Sequence, residues 1–424
     1  LLCGLAPALH ASRQSLGRIL GGGRVANHGK QPMLRTILIV AEVALSMVLL
    51  VGAGLLVRSF AQLQAVRPGF VANGTLSFHV ALPRSNYQNF QQRHAFASDL
   101  LGRLRGISGV QAVGATSNLP LTGQAPTRWY AFDGKPEQWQ SLHAEGLSVT
   151  PDFFAAAGTR LLAGRLFTDG DDNNAPPVVI IDEVIARNGW GWPNVSPVGQ
   201  RIQLSPLESP QPWGTVVGVV EHVRSGDLRE DGLPQIYWSF KARTPGNMNF
   251  VLRSSLPPAQ LAAAVQRAVS EVNPGMPVTN VAPLTTYLNA ALAEARFALL
   301  LMQLVGGLAV FLAAVGLYSV ISFVVAHRTR EFGIRLALGE TPAGLQRWVV
   351  ARGMGLVVLG AVAGAGAALV AAQAVQTLLY QVSPRDPVIF ATVGVLLLGI
   401  GAVACFIPAR RASGADPLAA LRAE

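Results

Sequence analysis

FALLLMQLVGGLAVFLAAVGLYSVISFVVA occupies residues 297–326, a run without a single charged side chain. About 20 apolar residues suffice to cross the hydrocarbon core of a bilayer, so the stretch reads as a membrane-spanning helix. It is also longer than a crossing needs. As a helix it would reach roughly 45 Å against a core of about 30 Å. It either tilts within the bilayer or projects from it as a stalk, and the sequence leaves both readings open.

Working outward, three more stretches have the same character: ILIVAEVALSMVLLVGAGLLV (37–57), MGLVVLGAVAGAGAALVAA (354–372) and VIFATVGVLLLGIGAVACFI (388–407). Half of the 424 residues are hydrophobic and only 13% are charged, which places the chain among membrane proteins carrying a substantial soluble part. The formal charge of +10 does not point to nucleic acid, because it is not spread evenly. Between Pro68 and Ala295 there are 16 Lys and Arg against 17 Asp and Glu, and the surplus lies beside the apolar runs. Arg13, Arg18, Arg24, Lys30, Arg35, Arg328, Arg330, Arg335, Arg347, Arg352, Arg410, Arg411 and Arg422 flank one side. Only Arg58, Arg67, Arg296 and Arg385 flank the other. The positive-inside bias predicts that both ends and the 327–353 link are cytoplasmic, with the region between the first two spans facing outward.

That outer region, about 70–290, mixes strand and helix patterns. TLSFHVAL (75–82) and WGTVVGVVEHV (213–223) read as strands, and PPVVIIDEVIARNGW (176–190) as a strand running into a helix. NFQQRHAFASDLLGRLRG (89–106) and PPAQLAAAVQRAVSEV (257–272) have helical spacing. The fold class expected is four transmembrane α-helices with a large α+β domain inserted between helices 1 and 2.

Catalytic patterns are missing from the sequence. GGGRVANHGKQ (21–31) only superficially resembles a phosphate-binding loop: Arg24 stands where GxxxxGK[ST] needs its first Gly, and Gln31 follows Lys30. There is no HExxH, CxxC or GxSxG, and the seven histidines are scattered, so neither a catalytic nor a metal site is expected. TDGDDNN (168–174) places Asp169, Asp171 and Asn173 at calcium-loop spacing. However, Asn174 replaces the required Gly and Ile180 the closing Glu, which favours a polar turn. Cys3 and Cys405 both lie in apolar runs, so disulfides do not frame the outer domain. Glu42, inside the first span, is read as an interfacial or helix-contact residue near the cytoplasmic edge. Gly360 and Gly364 form a GxxxG pair suited to close helix packing.

The link HRTREFGIRLALGETPAGLQRWVVARG (327–353) interleaves Phe332, Ile334, Leu336 and Leu338 with Arg328, Arg330 and Arg335, and Glu331 precedes Arg335 by one helical turn. A short amphipathic helix of this kind either lies on the membrane or docks into a groove on a partner. RTREFGIRLALG closely resembles the R-x-R-E-I-G-I-R-x-A-L-G signature of FtsX-like ABC-transporter permeases of the MacB group, with Phe332 for Ile and with Glu340 just beyond it where the family usually has Ala. GRLFTDGD, WPNVSPVGQR, TVVGVVEHVR, VSPRDP and IPARRASGADPLAALRAE agree in order with the same family.

The resemblance implies that Arg328, Arg330, Glu331, Gly333, Arg335 and Gly339 couple the permease to a separate ABC ATPase subunit. ATP and Mg would then act only through that subunit, with no cofactor in this chain and no enzyme activity of its own. It implies a bacterial inner membrane location and export of an antibiotic, peptide or lipoprotein. The alternative it leaves open is a non-transporting FtsX-like regulator or scaffold that signals to an envelope partner such as a cell-wall hydrolase. Further partners implied are another permease unit, fused upstream or as a dimer, an envelope adaptor or outer-membrane protein, and the lipid bilayer, with no nucleic acid.

PALHAS (7–12) near the start matches PARRAS (408–413) near the end, each after an apolar run with a cysteine and before a capped helix signal. The tail residues Pro408, Arg410, Arg411, Asp416 and Pro417 would close a four-span unit, and residues 1–35 would be the end of a preceding unit plus a cytoplasmic linker. The remaining boundaries expected are helix 1 and stalk at 36–66, the MacB-like core domain at 67–295 and the FtsX-like permease domain at 296–424. The chain then resembles the second half of a duplicated orphan permease, with a second outer domain upstream of Leu1.

Overall fold

The computed structural model describes residues 30–123, 126–134, 142–204, 212–328, 331, 332, 334, 335, 338–374, 376 and 379–413. The chain divides into two compact units, one of Leu1–Gln64 with Ala295–Glu424 and the other of Ala65–Glu294.

The Ala65–Glu294 unit is built on an eleven-stranded sheet that runs β11-β1-β10-β2-β4-β3-β7-β8-β6-β9 with β5 pairing β8. Its first half is antiparallel: β1 (Thr75–Ala81) lies between β11 (Val278–Pro283) and β10 (Asn247–Ser254), and β2 (Val110–Thr116) pairs the far side of β10. Two amphipathic helices pack on this half, α2 (Phe90–Arg105) and α5 (Pro258–Val272). Helix α2 starts where Asn89 can cap it: Asn89 Oδ1 accepts from Gln92 N at 2.9 Å while Gln92 Oε1 accepts from Asn89 N at 3.3 Å. The helix buries Phe96, Leu100, Leu101 and Leu104 against Phe78 and Phe250, which stack 5.0 Å apart. Each such side chain contributes about 1.5–3 kcal/mol by leaving water.

In the second half, β4 (His143–Val149), β3 (Thr127–Phe132), β7 (Arg201–Leu204), β8 (Gly214–Val220), β6 (Val178–Asp182) and β9 (Gln235–Ser239) close on themselves, because β4 also pairs β9. Tyr130, Phe132, Ile181, Ile202, Leu204, Val216 and Ile236 fill this ring. The β6 and β8 pairing is parallel, which is why VVIID and GTVVGVV read as continuous apolar runs instead of alternating ones. β5 (Leu161–Gly164) and the short helices α3 (Phe153–Ala157) and α4 (Glu183–Trp190) complete the unit. The polar turn expected at 168–174 is formed by internal pairing. Arg165 meets Asp171 at 2.7 and 2.9 Å, holding that carboxyl below the ordinary carboxylate range, and Asp172 Oδ1 accepts from Asn174 N and Ala175 N. Among the described residues no three acidic, His or Cys groups gather to hold a metal ion.

One ionic clasp in this unit was not visible in the sequence. Asp182 is fully buried, caps α4 by accepting from Ile185 N at 2.9 Å, and also accepts from Gln235 N at 3.0 Å. His222 Nδ1 donates to Asp182 Oδ2 at 2.6 Å, and its Nε2 donates to the Asp231 carbonyl. With Asp182 ionised both partners accept, and an imidazolium with an N–H on each ring nitrogen meets both. Burial acts to lower the His222 pKa, but Asp182 and the Asp231 carbonyl outweigh it and raise the pKa above its ordinary value. A His held above its unfolded pKa of about 6.5 gives stability that is complete below that pH and lost as pH rises through the folded value. Thermal unfolding of the purified chain is expected to show its midpoint falling from about pH 6.5 upward, and His222→Gln should flatten that limb. An equally steep fall in the variant would show that another group titrates there.

Among the described residues four helices are long and apolar enough to cross a membrane: α1 (Lys30–Ala65), α6 (Leu284–His327), α7 (Pro342–Ala374) and α8 (Pro387–Ser413). Helix α7 starts at Pro342, well before its apolar run at 354, because Pro suits a first helical position and Thr341 Oγ1 accepts from Gly344 N at 3.2 Å. Its inner stripe is Leu345, Val349, Gly353, Val357, Gly360, Gly364, Ala368 and Ala372, a small-residue ridge that lets α1 and α8 come close. At the helix ends remote from the 327–353 link, Arg58 of α1 pairs with Asp386 before α8, and Tyr380 N donates to Ser59 Oγ at 2.8 Å.

Helix α8 runs beyond the apolar run at 388–407, through Pro408 to Ser413, the last residue of PARRAS and of the described residues. Pro408 forgoes one backbone hydrogen bond, yet Ala404, Cys405 and Ala409 around it are buried against α7 and α6, and that packing holds the helical path. The matching PALHAS copy, the 1–29 segment and the capped-helix signal at Asp416 and Pro417 lie outside the described residues.

Candidate functional site

The described residues of the link between α6 and α7 keep helical hydrogen bonds before the chain turns. Arg328 N donates to Val324 O and Val325 O, Phe332 N to Arg328 O at 2.9 Å, Leu338 N to Ile334 O at 3.0 Å, and Glu340 N to Arg335 O at 3.0 Å. Gly339 then takes φ +96°, a left-handed conformation that costs glycine little, and the chain turns into Thr341 and α7.

The segment has an inner and an outer side. Phe332 is 1% exposed and sits in the cluster of Ile39, Val43, Leu317, Ile321, Leu345 and Val349, which fixes the segment to α1, α6 and α7. Its ring meets Trp348 edge-on at 6.0 Å. Ile334 and Leu338, one turn apart, face the other way at 44% and 83% exposure. Around this, Glu331 joins two arginines, with Arg335 at 2.8 Å and Arg328 at 3.4 Å. The guanidinium carbons of Arg328, Arg335 and Arg352 each lie 5.5–5.8 Å from the Trp348 ring centre. An indole face attracts cations, so Trp348 gathers three arginines that would otherwise repel each other.

The residues singled out in the sequence thus separate. Arg328, Glu331 and Arg335 form one ion-pair group, with Gly339 at its exit. Arg330 and Gly333 lie outside the described residues. Gly360 and Gly364 are elsewhere, against α1: a Cβ on Gly360 would stand 2.7 Å from Val43 Cβ, and one on Gly364 2.6 Å from both Ala44 O and Met47 Cβ. Pro408 is buried in α8, whereas Arg411 is exposed and donates to Tyr318 Oη at 2.9 Å; Arg410 precedes it on the last turn. Glu42 packs on α6, where a Cβ at Gly316 would lie 2.5 Å from its Oε2. Trp348 was missed by sequence reasoning. Its one available signal was an aromatic residue between Arg347 and Arg352, on a helix that had been read as starting later.

Residues 36–272 match the family model of the MacB-like periplasmic core domain, and residues 304–417 match the FtsX-like permease C-terminal model. Among curated proteins, the pyoverdine export ATP-binding/permease protein PvdT of Pseudomonas syringae pv. syringae is 26% identical over 344 residues, covering 76% of this chain and 49% of that protein. The macrolide export ATP-binding/permease protein MacB of Campylobacter jejuni is 25% identical over 337 residues, with coverage of 76% and 49%. The chain therefore spans about half the length of the curated relatives it matches. Of solved structures, the periplasmic region of MacB from Actinobacillus actinomycetemcomitans aligns over 50% of this chain and 90% of that one, at 16% identity and a TM-score of 0.34.

Proposed function

The chain belongs to the family of MacB-type permeases with an FtsX-like C-terminal domain, and on that premise we propose that it is the permease of an ABC export system in a bacterial inner membrane. No ATP-binding motif occurs within these 424 residues, and the relatives they half-cover combine ATP-binding with permease in their names. In this reading a separate ATPase subunit binds ATP and Mg on the cytoplasmic side and grips the 328–339 segment. Both chain ends and the link lie in the cytoplasm, and the Ala65–Glu294 unit faces outward. The substrate belongs to the antibiotic, peptide or lipoprotein class.

The observation that carries the proposal is the outward pair Ile334 and Leu338 on a segment anchored by Phe332. An apolar side chain at 83% exposure beside an ordered ion-pair group costs solubility unless a partner covers it. A helical anchor pair one turn apart is the form in which helices enter grooves. Leu338→Asp should leave the chain in the membrane at wild-type level and reduce co-purification of the co-expressed ATPase at least about tenfold, as loss of a central apolar anchor does. Undiminished co-purification would remove the docking role of this face. If association is intact but no ATP-dependent substrate movement occurs in vesicles, the regulator reading replaces the exporter.

A further inference from the structure

Helices α6 and α8 leave an open groove between them, with a volume of about 650 Å³. Phe311, Val315 and Tyr318 line one wall, and Val395, Val403 and Ile407 the other. From Val395 to Ile407 the helix rises about 18 Å, close to the ~15 Å that one leaflet of the hydrocarbon core occupies. Gly399 lines the groove, and a Cβ there would meet nothing within 4 Å. Its walls are otherwise apolar, and Phe311, Val395 and Val403 are more than 60% exposed.

The groove ends on charge. Arg411 lies one helical turn beyond Ile407, is exposed, and donates to the Tyr318 hydroxyl at 2.9 Å. Among the described residues Arg411 has no ion pair with a carboxylate, and its one hydrogen-bond partner is the Tyr318 hydroxyl. Tyr318 uses one of the guanidinium's five donors, and the remainder suit a phosphate.

We propose that this groove is a binding site for one anionic phospholipid. An acyl chain lies along Gly399 between α6 and α8, and the phosphate is held by Arg411 with Tyr318 beside it. An apolar channel of leaflet length that closes on an arginine matches a lipid in both shape and charge. The site requires that the helices cross a bilayer, and it is independent of ATPase docking, so its failure and that of the coupling segment are separable.

The test uses the purified full chain with phosphatidylglycerol or phosphatidylcholine in detergent, with native mass spectrometry counting bound lipid and thermal unfolding read in parallel. Wild type should retain one phosphatidylglycerol per chain in preference to phosphatidylcholine. Gly399→Leu fills open space and replaces a poor helix former with a good one, so it should fold yet lose that lipid. Arg411→Gln should still bind lipid but lose its preference for phosphatidylglycerol by about fivefold, the share expected of one arginine near an anionic headgroup. Equal binding of both lipids to wild type, or full phosphatidylglycerol occupancy in Gly399→Leu, would overturn the proposal. So would disulfide-linked pairs of Val403→Cys chains in phosphatidylglycerol vesicles, since a second copy would then fill the groove.

Discussion

A chain carrying both Glu331→Ala and Arg335→Ala is expected to insert and fold normally yet fail to retain its ATPase. The folding half of the result follows from exposure. The side chains of Glu331 and Arg335 are 42% and 36% exposed, and pairs at such sites contribute only about 0–1 kcal/mol. The anchor of the segment is Phe332, which the substitutions leave in its apolar cluster. The association half follows from organisation. Glu331 holds Arg328 and Arg335 on one carboxylate, while Trp348 collects the same two arginines and Arg352, so the charges are presented in one arrangement before any partner arrives. Removing the pair frees Arg328 and deletes Arg335 from the indole face. Co-purification of the ATPase should fall below detection, with unchanged gel-filtration behaviour of the permease. A second variant separates local order from recognition: exchanging the two residues, Glu331→Arg with Arg335→Glu, keeps an i,i+4 pair but inverts what the partner meets. It should fail as well. ATPase capture surviving in both variants would show that this cluster does not contact the ATPase.

Gly364→Val is expected to be the most damaging single substitution in the helix bundle. A Cβ at this position would stand 2.6 Å from the Ala44 carbonyl oxygen and 2.8 Å from the Ala44 Cα, so the obstacle is α1 backbone, which cannot swing aside as a side chain can. Overpacking of this kind costs about 1–3 kcal/mol, and the upper end applies where two helices must separate. Gly366 is the internal control, two residues along the same helix, where a Cβ would meet nothing within 4 Å. Gly364→Val should lower the thermal midpoint in detergent and the yield of monodisperse protein, whereas Gly366→Val should leave both near wild type. Equal midpoints would mean that α1 does not depend on this face of α7.

Much of this could be read in advance because the relevant signals are local. A span depends only on a run of apolar residues, so all four were found, although the helices extend beyond them into polar sequence. The leucines of α2 follow helical spacing and marked that helix, whereas its Asn89 and Gln92 capping box emerged only in the structure. The GxxxG pair was legible as a packing face, but not its partner: α1 lies hundreds of residues away in sequence, and only the fold brings Val43 and Ala44 to Gly360 and Gly364. That α8 continues through Pro408 was not legible for a related reason. Proline's local cost is known from its chemistry, but whether packing offsets it depends on neighbours from other helices.

What the sequence determined by itself is the membrane class of the chain, its four apolar helices, the mixed strand and helix region between the first two, and the family signature at 328–339. Each of these follows from composition or from residues within a few turns of one another. The tertiary structure decided the rest. It turned Phe332 inward and Ile334 and Leu338 outward, gathered three arginines on Trp348, and buried Asp182 against His222. It also left a groove along Gly399 that ends at Arg411. These arrangements join residues far apart in the chain. Their energies come from burial and from charge placed in an apolar setting, and neither exists until separate elements pack together.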